Sequence, residues 1–159
     1  MADKINFADR VRKDLILIGV EGDTREEVLT NISKVLIEKG IAKETYTEGL
    51  LQRESEFPTG LPIGEYNIAI PHTYPEHCNE IAVTVAIPKK PIEFHNMGDA
   101  SETVMVYVIL CLCLKKMDDS INMLPSLMTF FADEENVKTL MKCKTPDEVM
   151  EAIQAAKKD

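Results

Sequence analysis

Residues 104–114 read VMVYVILCLCL, an unbroken apolar run rich in β-branched side chains. It is too short to cross a bilayer, which takes about 20 residues. Hydrophobicity that is continuous rather than alternating marks a strand covered on both faces, so layers must pack on each side of its sheet. The run therefore predicts an α/β fold in which helices flank a sheet on both faces.

The flanking sequence supplies those layers. Upstream, residues 15–20 (LILIGV) form a second compact apolar run, a first strand. Thr24 and Glu27 then give a capping-box signature, apolar positions follow at Val28, Ile32, Val35 and Leu36, and Gly40 ends the helix. Thr45 with Glu48 gives a second capping box for a shorter helix through Leu50, Leu51 and Arg53. Two prolines and two glycines over residues 57–64 must end that helix in a loop. Residues 67–70 read as a short strand closed by Pro71, and 80–87 (EIAVTVAI) as another. Residues 92–94 suggest a short edge segment, and 97–102 a polar connection into the central run. Beyond Asp118 the apolar spacing turns helical, with Pro125 marking either a kink or the true helix start. Thr145, Pro146 and Glu148 combine a capping box with proline at the first helical position of a last helix.

With 159 residues, 45% of them hydrophobic, and no dividing linker, one domain over residues 1–159 is expected. The charged start MADKINFADRVRKD lacks the apolar core of a signal peptide. A net charge of -9 argues against nucleic acid as a partner. Cys111 and Cys113 lie two apart in a strand and point the same way, and Cys78 and Cys143 sit in polar surroundings without framework spacing. Free thiols follow, and a protein that is not membrane-embedded and works in the cytoplasm.

Chemistry concentrates in residues 53–73, RESEFPTGLPIGEYNIAIPHT. Of three histidines, His72 alone directly follows a strand, with Pro71 fixing its approach; His77 and His95 read more simply as solvated side chains. The chain has no Gly-x-Ser-x-Gly elbow and no phosphate-binding Gly-Lys-Ser/Thr loop. His72, His77 and Cys78 make a weak metal signal with no second ligand pair, so no metal and no organic cofactor are expected. What remains is a nucleophilic histidine suited to phosphoryl transfer. One ring nitrogen would be held and the other free, with Arg53, the Thr59 hydroxyl and backbone N–H groups around Gly60 as donors to phosphoryl oxygens.

The bipartite pattern Arg53-Glu54-x-x-Phe57-Pro58-Thr59-Gly60, then Ile68-Ala69-Ile70-Pro71-His72, resembles the active-site segment of enzyme IIA proteins. These are the fructose–mannitol class of the bacterial phosphoenolpyruvate-dependent sugar phosphotransferase system, and the Glu-Phe-Pro-Thr-Gly variant is most similar to the galactitol-type branch. The resemblance implies a single mixed sheet flanked by helices. It implies that His72 takes a phosphoryl group from HPr and passes it to a cysteine of a IIB protein or domain, with the membrane-bound IIC component downstream. Arg53, Glu54 and Thr59 match site positions of that class. Mannitol-type members carry a second histidine where this chain has Ser120, and His77 is the candidate substitute. Phe57, Leu61 and Ile63 would form an apolar rim for docking both partners. The transported compound would be galactitol or a related polyol. The same histidine would also serve a regulatory IIA-like module that senses phosphotransferase flux.

Overall fold

The computed structural model describes residues 4–157, so the expected 1–159 domain runs past the described residues at both ends. The run at 104–114 is the C-terminal part of a longer strand, Asp99–Cys113, the last of six in one mixed sheet. In chain order the strands are β1 (Val11–Val20), β2 (Gly60–Leu61), β3 (Asn67–Ala69), β4 (Ala82–Pro88), β5 (Ile92–Asn96) and β6 (Asp99–Cys113). Their spatial order is β1-β4-β6-β3-β2-β5, with β5 also pairing back onto β6. β6 runs antiparallel to β4 and β5 and parallel to β3, while β1 runs parallel to β4. A mixed sheet is what the resemblance implies.

Two helices cover one face and three the other, as the central run requires. They are α1 (Arg25–Glu38), α2 (Tyr46–Glu56), α3 (Asp118–Phe131), α4 (Glu134–Lys142) and α5 (Pro146–Ala155). Leu15, Ala86, Ile109 and Cys111 face the buried residues of α1 and α2. Ile16, Val85, Leu110 and Leu112 face Leu127, Phe131, Leu140 and Val149 of α3 to α5. Alternation in β6 changes phase at Tyr107, because Asn67 pairs with Val106 and Ile68 with Val108. That bulge lets Val106 and Ile109 share a face.

Several boundaries differ from the sequence reading. β1 begins at Val11 rather than at 15, because the exposed polar residues 12–14 separate buried Val11 from the apolar run. Residues 97–102 are less a connection than a hairpin: Asn96 pairs with Asp99, and the Asn96 side chain accepts from the Gly98 N–H, closing the turn. Residues 99–103 are therefore strand, although exposed. Two residues of the expected 57–64 loop form β2, too short to show any period. Pro125 does not mark the start of α3, which runs through it from Asp118. An interior proline costs about 3 kcal/mol, offset by burial of Met123, Leu127, Phe130 and Phe131. Cys78 is buried rather than polar, drawn into the core by an isolated bridge to Ala42. All four cysteines are free thiols.

The three capping boxes separate by context. At α5 both arms are present: the Glu148 N–H donates to Thr145 Oγ1, and the Thr145 N–H donates to Glu148 Oε1. At α1, Thr24 Oγ1 accepts from the Glu27 N–H, but Glu27 answers to the N–H of Asp23. At α2 the box fails, because Thr45 Oγ1 is 2.8 Å from His77 Nδ1 and caps nothing. No helix among the described residues is long and apolar enough to cross a membrane.

Candidate active site

The site forms where β3 and β6, running parallel, end side by side. The Leu112 N–H donates to the Pro71 carbonyl at 2.9 Å, anchoring the chain just before His72 to the sheet centre. Pro71 itself has no N–H to offer, so the ladder stops there and His72 leaves the sheet. The imidazole then turns back: Nδ1 lies 2.9 Å from the Ile70 carbonyl oxygen. A carbonyl can only accept, so Nδ1 carries the hydrogen and Nε2 holds the free lone pair. Burial, and next the positive charge of Arg53, push His72 below the usual histidine range, opposed by the bond to Ile70. At neutral pH the ring is an uncharged nucleophile with one nitrogen fixed and one open.

Arg53 and Glu54 are neighbours in the last turn of α2 and point apart. The Arg53 guanidinium stacks 4.2 Å from the centre of the Phe57 ring and 5.1 Å from that of Tyr74, and Nη1 donates to Tyr74 Oη at 2.9 Å. Phe57 stands four residues on, where helical geometry brings side chains together. Glu54 goes inward and is only 2% exposed. Its two carboxylate oxygens accept from the Thr59 N–H and the Thr59 hydroxyl, each at 2.7 Å. Burial raises Glu54 to about 7, against the lowering effect of the Thr59 bonds and of nearby Arg25.

The sequence places Thr59 as a donor to phosphoryl oxygens; in the fold its hydroxyl hydrogen goes to Glu54. Glu54 and Thr59 thus shape the loop rather than the open face of the site. The Thr59 carbonyl accepts from Ile70, tying this loop to the segment that carries His72. Gly60 follows in close quarters, since a Cβ there would stand 2.6 Å from the His95 carbonyl oxygen. Its own carbonyl accepts from Met97, and its backbone pairs with Ala69 and Asn96 within the sheet.

The remaining candidates make their hydrogen bonds elsewhere than at His72. His77 lies along α2, with Nδ1 on Thr45 and Nε2 where a Cβ on Gly49 would come within 2.8 Å. This contact explains a glycine inside a helix, which otherwise costs about 1 kcal/mol against alanine. The Ser120 hydroxyl donates to the carbonyl of Met117, the residue that precedes α3. Neither hydrogen-bonds to His72. His95 Nδ1 lies 2.9 Å from the Ala100 carbonyl oxygen across the hairpin. Of the apolar rim, Phe57 is 52% exposed, but Leu61 and Ile63 are half-buried and pack on the α3–α5 core. The expected docking rim narrows to Phe57, joined by Tyr74 at 41% exposure. Among the described residues no three His, Cys, Asp or Glu side chains gather as a metal site.

Tyr74 was not legible as a site residue, yet a signal exists. Thr73 is buried while His72 is half-buried and Tyr74 exposed, the alternation expected where residues two apart share a side.

Comparison with known proteins places this geometry. The family model for the phosphoenolpyruvate-dependent sugar phosphotransferase system, EIIA 2, matches residues 10–156. The galactitol-specific EIIA component of Escherichia coli K12 is 29% identical over 123 residues, covering 77% of this chain and 81% of that protein. The crystal structure of IIA mannitol from Escherichia coli superposes with a TM-score of 0.72 at 22% identity, covering 89% of this chain and 96% of that one. Enzyme IIA of mannitol, in a complex with phosphorylated enzyme IIB from Escherichia coli, superposes at 0.72 with 20% identity, covering 91% and 99%. At these identities the two structures establish the shared fold alone.

Proposed function

Because this chain belongs to the phosphoenolpyruvate-dependent sugar phosphotransferase system EIIA 2 family, we propose that His72 is the residue on which its phosphoryl group is carried. Members are phosphotransferase components that work through a phosphohistidine, and that sugar-phosphotransfer role is this chain's. Phospho-HPr is the proposed donor and a IIB cysteine the proposed acceptor, with IIC downstream. Galactitol or a related polyol is the proposed transported compound, resting on the galactitol-specific relative. The cytoplasm, where HPr would be met, is the proposed location, and one domain the proposed organisation.

The observation that carries the assignment is the His72 Nδ1 bond to the Ile70 carbonyl, which leaves Nε2 as the nucleophile. Nε2 attacks phosphorus in line, the new N–P bond forms as the donor's N–P bond breaks, and the hydrogen stays on Nδ1, donated to the Ile70 carbonyl oxygen. In the second step a IIB thiolate sulfur attacks, forming S–P as the His72 N–P bond breaks. Nothing is oxidised or reduced. Positioning and charge stabilisation dominate such transfers, and Arg53 is a cation whose charge reaches the ring. The exposed Phe57 and Tyr74 rings stand on either side of Arg53 at the surface, which suits a protein as the phosphoryl donor.

The test supplies enzyme I, HPr and phosphoenolpyruvate to the full chain and reads intact mass. Wild type should gain one acid-labile phosphoryl group and His72→Ala none. Label on His72→Ala, or none on folded wild type, sinks the assignment.

A further inference from the structure

Arg53 is held more tightly than a surface arginine needs to be. Phe57 lies under its guanidinium from the same helix, and Tyr74 closes over it from the strand-end segment that carries His72. The Tyr74 hydroxyl also takes the Nη1 hydrogen at 2.9 Å. A guanidinium offers five N–H donors in a rigid fork. Tyr74 occupies one at Nη1, leaving the Nη2 and Nε edges for other acceptors. Tyr74 lies two residues beyond His72 with buried Thr73 between them, so the phenol ties the fork to the segment that carries the imidazole.

Resting on the proposed reading of His72 as phosphoryl acceptor, we infer that Tyr74 is a positioning residue for the transfer: its ring and hydroxyl hold the Arg53 fork ready for the phosphoryl oxygens. An arginine already ordered between two rings surrenders little further freedom when the phosphoryl group arrives, so more of its attraction reaches the transition state. Both rings are exposed in the free protein. A docked partner covers them, excludes water from the guanidinium and strengthens its field at phosphorus. The charge of Arg53 on the unphosphorylated ring is the resting sign of the same placement.

Three variants of the full chain test this: Tyr74→Phe, which keeps the ring and removes the hydroxyl; Arg53→Lys, which keeps charge without the fork; and the double variant. Rapid-quench rates of phosphoryl gain from phospho-HPr should fall roughly three- to tenfold in Tyr74→Phe. In the Arg53→Lys background the tyrosine change should cost nothing more, since the fork it positions is gone. An NMR titration of His72 should also move up in Tyr74→Phe as the cation drifts away, a shift that loss of a merely structural contact would not give. Wild type that takes no phosphoryl group would overturn the reading of His72 and this inference with it. Labelled wild type with an unchanged Tyr74→Phe rate, or fully additive losses in the double variant, would overturn the role of Tyr74 alone.

Discussion

The two faces of the sheet are filled with different chemistry. Beneath α3, α4 and α5 the core is mainly hydrocarbon, built on Phe7, Phe130 and Phe131, whose rings meet at centroid distances of 4.7 to 6.0 Å, with its polar contacts at the margin. Beneath α1 and α2 the packing carries polar atoms. The buried Tyr46 hydroxyl donates to the Leu112 carbonyl at 2.8 Å and touches Cys111 Sγ, and Ser33 and Thr47 hydroxyls pair between the two helices. Apolar contact is non-directional and tolerates small rotations, whereas a buried hydrogen bond fixes position and azimuth. The fully buried hydrogen bond of Tyr46 lies on the face that holds α2, whose last turn delivers Arg53 and Glu54. The difference teaches a division of labour: one face supplies stability, the other aims the site.

The largest expected effect lies on the hydrocarbon face. Phe131 is fully buried, so Phe131→Ala should cost about 3–5 kcal/mol of stability. The loss should be the same at pH 6 and pH 8, and phosphoryl gain by the protein that remains folded should match wild type. Chemical denaturation paired with the mass assay reads both, and a selective loss of transfer in folded Phe131→Ala would break the division.

Glu54 comes next and belongs to the polar side. Its carboxyl is raised from 4.5 to about 7 in the fold, so the folded state binds the extra proton between those values. The stability tied to that proton is fully present below 4.5 and is lost as pH rises through 7. The whole span amounts to roughly 3 kcal/mol. Glu54→Gln removes the titration while keeping a carbonyl for the Thr59 N–H. Wild type should therefore lose stability against Glu54→Gln between pH 5 and pH 8.5. Parallel curves would mean that Arg25 and the Thr59 bonds keep Glu54 ionised across the window.

A smaller loss should follow Tyr46→Phe. The ring stays and the core remains filled, but the Leu112 carbonyl loses its phenol donor. About 1–2 kcal/mol should go. Since Leu112 also anchors Pro71, amide exchange near His72 should quicken more than exchange in α4. Equal protection in both places would deny that this face aims the site.

How far this was legible follows the same division. The layered fold could be read from residues 104–114, because a strand apolar on both faces admits few alternatives, and the first and last helices followed from their caps. His72 stood out because Pro71 ends a ladder. The inward turn of Glu54 and Thr59 could not be read, since adjacent charged residues at a helix end give no sign of which is buried. The failed cap at Thr45 has the same root: a histidine 32 residues away took its hydroxyl. Local rules describe an element until a distant side chain competes for the same atom.

The smallest effect should run in the opposite direction. Thr84 sits in β4 between Ala82 and Ala86, both of which face α1 and α2, so its side chain enters the polar face. It is fully buried, and its hydroxyl has no hydrogen-bond partner in the protein. A buried hydroxyl without a partner carries a desolvation cost that no bond repays, while valine has nearly the same shape and prefers a strand. Thr84→Val should therefore raise stability by about 1 kcal/mol, seen as a higher denaturation midpoint at unchanged slope. Phosphoryl gain should not change, because the Thr84 hydroxyl makes no hydrogen bond to α2 or to His72. A loss of stability would mean that the hydroxyl is satisfied by a buried water, and the polar face would then be a more complete network than its protein atoms alone reveal.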